Sequence, residues 1–152
     1  MKNTIETWLR AEDWALKNLS HKKTRWLIEA RDPDKRPFLI SQRKSPGDQI
    51  RVQAVLTLDP GAQSGFAALP QDRKEHYFWD VKFRLLQMGL NFTGLGEPLK
   101  RLVLTKNLYL DGFNKNLFIH TLETVRNAML TVLWALHREI TEAPVVTGQV
   151  IH

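Results

Sequence analysis

From Ile50 to Leu58 the chain alternates, with Ile50, Val52, Ala54, Leu56 and Leu58 set between the polar residues Arg51, Gln53 and Thr57. A period of two puts one apolar and one polar face on a strand, a division no helix can reproduce. The pattern occurs twice more upstream. Trp26, Ile28 and Ala30 share a face over 24–30, against Arg25, Leu27 and Glu29, and Phe38 and Ile40 share one over 37–42. Two turn clusters separate these runs, Asp32-Pro33-Asp34-Lys35 and Lys44-Ser45-Pro46-Gly47-Asp48, where Pro presets φ and Gly tolerates positive φ. The three runs therefore read as an antiparallel meander with one buried face.

Helical periodicity surrounds the meander. Asn3 and Glu6 have capping-box spacing, and Ile5, Trp8, Leu9, Ala15, Leu16 and Leu19 form an apolar stripe that predicts a first helix ending near Ser20-His21. Asp59-Pro60-Gly61 ends the third strand, and a loop is expected as far as Pro70. A middle helix is predicted from Asp72 to about Met88. Residues 91–96 and 99–110 read as two further strands, and Asp111-Gly112 turns the chain into a long helix over about 114–139. That helix carries Phe118, Leu122, Val125, Met129, Val132, Leu133, Leu136 and Ile140 at three- and four-residue steps. The expected fold class is α+β. An antiparallel sheet, in the order helix, three strands, helix, two strands, long helix, is covered by helices as a two-layer sandwich. One domain is expected over 1–152, with 143–152 a loose tail beyond Pro144.

The middle helix has more apolar surface than one contact can use. Tyr77, Phe78, Val81, Leu85 and Met88 make one stripe, and Trp79, Phe83, Leu86 and Leu90 make another beside it. Asp80, Arg84 and Gln87 form the polar edge. One stripe can meet the sheet; the other needs a partner. Of the five tryptophans, Trp8, Trp26 and Trp134 are expected in the core. Trp14 and Trp79 are the candidates for exposed or interface positions.

Charge is distributed as unevenly as apolar surface. Between Lys17 and Gln53 ten basic residues face four acidic ones, so that this window carries the whole net charge of +6. Arg25, Arg31, Arg43, Lys44 and Arg51 are the candidate surface for an anionic partner. The alternative is a solvated face of Lys and Arg on a hairpin region.

Catalytic signatures are lacking. The chain has no cysteine, which excludes thiolate chemistry, disulfides and Cys-based metal sites. His21, His76, His120, His137 and His152 show no helical metal-ligand spacing. Gly94-Leu95-Gly96 has neither the third glycine nor the Lys-Ser/Thr of a phosphate loop. No cofactor is expected, and the enzyme reading ranks below a binding role. No apolar run reaches the roughly 20 residues that span a bilayer, and the N-terminus has no signal-peptide core, so a cytoplasmic protein is expected.

The element order, the amphipathic first helix and the Leu108-Tyr109-Leu110-Asp111-Gly112-Phe113 approach to the last helix resemble the fold of type III secretion chaperones and of uncharacterised bacterial proteins that share it. The resemblance covers roughly 3–139. It implies a homodimer in which the middle helix forms much of the interface, here through Trp79, Phe83, Leu86 and Leu90. Secretion chaperones look acidic as a rule, whereas this chain has a pI near 9.8, which points to a different partner. The expected function is that of a non-enzymatic, dimeric, chaperone-like module recognising a protein or peptide segment. A nucleic-acid-associated protein using the basic 17–53 surface is the second reading, with weak, non-specific binding at most.

Overall fold

Asp13 ends the first helix well short of Ser20. In the computed structural model, which describes residues 1–142, helix α1 spans Lys2–Ala11. Asp13 takes a left-handed φ of 62°, while the amides of Glu12, Asp13 and Trp14 close on the Leu9 and Arg10 carbonyls. Ala15, Leu16 and Leu19, read above as the end of a helical stripe, instead form strand β1 (Ala15–Leu19). The expected capping box does not form either. The helix already begins at Lys2, and Glu6 pairs with Arg10 at 3.5 Å.

Strands β2 (Thr24–Arg31), β3 (Pro37–Arg43) and β4 (Gln49–Thr57) follow as the meander predicts. Next, where a loop is expected, comes helix α2 (Pro60–Ala67). Asp59 caps it by accepting the Ala62 amide at 2.7 Å, and Pro60 supplies the fixed φ suited to a first turn. Helix α3 (Gln71–Gln87), strands β5 (Asn91–Thr93) and β6 (Arg101–Tyr109), and helix α4 (Lys115–Glu142) complete the chain. The Asn114 side chain caps α4 by accepting the Leu117 amide at 2.9 Å. The antiparallel sheet has six strands in the order β1-β2-β3-β4-β6-β5. The expected tail, 143–152, lies outside the described residues. Among those residues, no helix is long and apolar enough to cross a membrane.

The chain divides into two compact units. The first comprises Met1–Val55 with Thr105–Val125. Its register sorts side chains into transverse rows. Ile28, Ile40 and Val52 lie side by side, as do Ala30, Phe38 and Ala54, and all six are fully buried. The rows between them, Leu27–Ser41–Arg51 and Glu29–Leu39–Gln53, point to the opposite face. Trp26 is half-buried; its Nε1 donates to Gln42 Oε1 at 2.9 Å, and Gln42 donates in turn to the Gly47 carbonyl. Trp8, expected in the core, is also half-buried, against Phe113 and Phe118.

The second unit comprises Leu56–Leu104 with the described residues from Arg126 onward. Here α3 buries Tyr77, Val81 and Leu85, and α4 buries Met129, Val132, Leu136 and Ile140. Two polar links hold these helices together. Tyr77 donates its hydroxyl to the Val132 carbonyl at 3.1 Å, and Arg73 grips Glu139 through Nε and Nη2 at 3.1 and 2.8 Å. Gly94 belongs to the β5–β6 connection rather than to any ligand loop. Its φ is +90°, and a Cβ there would overlap the Arg101 carbonyl.

Two stability predictions follow from these cores. Val52→Asp should cost at least about 3 kcal/mol, because an unpaired carboxylate would enter the buried row. Arg51→Ala, on the opposite face, should stay within about 1 kcal/mol; urea melts of the two variants check the order. Burial first, and then the Asp80 and Glu139 carboxylates, raise the Tyr77 phenol above its ordinary pKa. The folded state therefore holds this proton more tightly than the unfolded chain. The resulting stability is intact below about pH 10 and is lost as pH rises beyond it. Tyr77→Phe should cost about 1 kcal/mol at neutral pH through the lost hydrogen bond. It should also show a shallower alkaline loss than wild type, read from urea midpoints at pH 8 and 11.

Candidate functional site

Two surfaces, one in each unit, carry side chains that folding within the unit does not explain. On α3, the sequence supplies two apolar stripes. At about 100° per residue, Trp79, Phe83 and Leu86 fall within an arc of about 60° opposite Val81. Val81 is buried, whereas Trp79 and Phe83 are 58% exposed and Leu86 is 70% exposed. The Trp79 and Phe83 rings stack at 5.8 Å, and Lys82 Nζ lies 5.1 Å from the Trp79 ring centroid. Leu90, grouped above with this stripe, is only 4% exposed, because α3 has already ended at Gln87 and the chain turns inward at Gly89.

Trp134 is a second departure. It lies opposite the buried stripe of α4 and is 68% exposed rather than part of the core. Together with Thr131, Ala135 and Arg138 it faces Asp80 and Arg84 of α3 across a shallow groove of about 290 Å³. Asp80 binds Arg84 at 3.1 Å and Arg138 at 3.9 Å, so polar contacts separate Trp134 from the stripe of α3. The outer side of this helix pair is therefore aromatic as well as charged. Sequence periodicity alone offered a signal for the α3 part only.

The five candidate basic residues do not share one site. Arg25 sits at the irregularity in the β2–β3 register, against the turn between β3 and β4; a Cβ on Gly47 would meet its guanidinium. Arg31 is held by Glu29 at 2.9 Å and by the Lys35 carbonyl. Lys44 is exposed in the turn after β3. Arg43 and Arg51, by contrast, come together on the polar face of the sheet. Ser41 lies directly opposite Arg51, and Arg43 is two residues further along β3, a diagonal neighbour at roughly 7–8 Å between Cα atoms. Both line a groove of about 350 Å³. His21 and Lys23 stand on its rim, and Leu27 and Leu39 form its apolar floor.

Several fixed polar groups complete this groove. Arg51 Nε donates to Asn107 Oδ1 at 3.2 Å, and Gln53 Nε2 donates to Thr105 Oγ1 at the same distance. His21 Nδ1 accepts the Lys23 amide at 3.1 Å, which places the proton of a neutral ring on Nε2. Burial, and then the like charge of Arg43, lower the Arg51 pKa from its ordinary value. Among the described residues neither Arg43 nor Arg51 forms an ion pair with a carboxylate. Odd-numbered positions along β3 and β4 gave the signal for Ser41, Arg43, Arg51 and Gln53. His21, Lys23 and Asn107 come from elsewhere in the chain and gave none. Among the described residues, no group of three or more His, Asp or Glu side chains could hold a metal ion.

A crystal structure of an uncharacterized protein from Methanothermobacter thermautotrophicus has the same fold. It is 23% identical in sequence, with a TM-score of 0.83, over 91% of this chain and 98% of the other. No curated protein matches the chain. Residues 1–136, and with them both surfaces apart from Arg138, match the family described as Uncharacterized conserved protein (DUF2299), and the chain belongs to that family.

Proposed function

We propose that this protein is a non-enzymatic binding module of the cytoplasm that works as a homodimer and receives a protein or peptide segment, in the manner of the secretion chaperones that its sequence resembles. One observation carries the dimer: large apolar side chains stand exposed on the outer side of α3 and α4, opposite the faces that those helices bury. An aromatic side chain buries about 150–250 Å² when covered. With more than half of each ring open, Trp79, Phe83 and Trp134 of two copies supply roughly 700 Å², near half of a standard interface of about 1,600 Å².

Charge favours a second copy as the occupant. The exposed side of α3 carries Asp72 and Glu75 in its first half and Lys82 in its second, where Arg84 is already paired with Asp80. Two α3 helices crossing antiparallel near Trp79 set Asp72 and Glu75 of each beside Lys82 of the other, and the same patch serves both copies, as a two-fold axis requires. For the peptide, the supporting feature is β1. It is an edge strand of five residues, with Ala15, Lys17 and Asn18 exposed, and it offers main-chain groups for strand addition.

Light scattering at micromolar concentration should give about twice 17.6 kDa. Phe83→Glu should give a monomer with an unchanged far-UV spectrum, since Phe83 faces solvent within its own chain. A monomeric wild type sinks the dimer. The binding role has a separate test, in which a panel of extended peptides is titrated against the dimer by fluorescence polarisation. If none binds at about 100 μM, the module reading fails while the dimer stands.

A further inference from the structure

The basic groove on the polar face of β2, β3 and β4 belongs to neither the apolar core nor the aromatic helix face. We infer that it is a binding site for a small phosphorylated molecule, with Arg43 and Arg51 taking the phosphate and the Leu27–Leu39 floor taking an apolar or planar body.

Four observations lead there. First, the two arginines carry like charge on adjacent strands with no carboxylate partner among the described residues, and Glu29 in the neighbouring row is already engaged by Arg31. Their mutual repulsion is relieved by a dianion placed between them, which one bound phosphate supplies. Second, Arg51 is positioned in advance. Asn107 holds its Nε, which leaves the terminal nitrogens to fork onto phosphate oxygens, so little side-chain freedom remains to be lost on binding.

Third, the rim adds further donors of the same kind, the Lys23 ammonium and the His21 Nε2 proton fixed by the Lys23 amide. Fourth, the groove has molecular dimensions. About 350 Å³ over two leucines suits a single small ligand better than a polymer backbone, which is followed by a long, open stripe of charge. Ser41 and the Gln53 amide carbonyl give the floor polar points that can orient a hydroxyl or a ring nitrogen. The site lies wholly in the first unit, so it stands or falls independently of the dimer proposed for α3.

Calorimetric titration of the full chain at low salt with inorganic phosphate, pyrophosphate and adenosine monophosphate tests the inference, with a ten-residue oligothymidylate as the polymer arm. At least one of the three small phosphates should bind with a Kd below about 1 mM. Arg51→Gln should weaken it by about tenfold or more, and so should Arg43→Gln, which removes a side chain with no hydrogen bond or ion pair among the described residues. Lys115→Gln, which removes the same charge at the start of α4, should leave the affinity unchanged. A Kd above about 1 mM for all three compounds overturns the site. So does equal weakening by all three substitutions, which would mean diffuse attraction to net charge. An oligothymidylate that binds more tightly than every small phosphate, with a steep salt dependence, also overturns it in favour of a nucleic-acid surface.

Discussion

The antiparallel register of β2, β3 and β4 governs the first unit. Because Ile40 lies between Ile28 and Val52, every other row across the three strands must be apolar and every intervening row must face the other way. A shift of one residue would exchange the faces, placing Arg51 and Gln53 in the core and Val52 and Ala54 outside it. Six fully buried side chains oppose that slip together. The arginine groove is a consequence of the same constraint. Arg43 and Arg51 are neighbours only because Ser41 is opposite Arg51, so the register that closes the core also builds the polar site behind it.

The second unit is organised by a different constraint, the competition between two apolar stripes on one helix. Helix α3 turns Tyr77, Val81 and Leu85 inward, and two polar links to α4 fix that choice. Arg73 reaches Glu139, and Tyr77 reaches the Val132 carbonyl, so the rotation of α3 about its axis is tied to α4 at two points along its length. Glu139 is nearly buried and accepts the Arg73 guanidinium through charge-assisted bonds, an arrangement that penalises any rotation leaving the carboxylate unpaired. Trp79, Phe83 and Leu86 remain outside as a consequence. Their exposure is thus the residue of a packing decision made elsewhere in the unit.

Local chemistry was legible wherever one residue type settles a backbone state. Asp59-Pro60 illustrates both sides of this. It was rightly read as the end of a strand, yet the same two residues are also a helix cap and a first-turn proline, and α2 begins there. Residues 15–19 were ambiguous for another reason. Ala15, Leu16 and Leu19 satisfy helical spacing, and five residues are too few for periodicity to separate a strand from a helix. Pairing with β2 from Ala15–Arg31 to Leu19–Leu27 decides in favour of the strand.

By itself the sequence determined the α+β class, the meander with its inward residues, the turns at 32–35 and 44–48, the buried stripe of the last helix and the surplus apolar surface of the middle one. Each of these follows from a period or a turn residue confined to a short stretch of chain. Only the tertiary structure decided that Leu90 is buried, that Trp134 is exposed and that Arg43 and Arg51, rather than all five basic residues, share a groove with His21 and Lys23. Those outcomes depend on which segments become neighbours and in what register. A pattern along one segment states that a face must be covered, and only the partner strand or helix settles what covers it and what is left open.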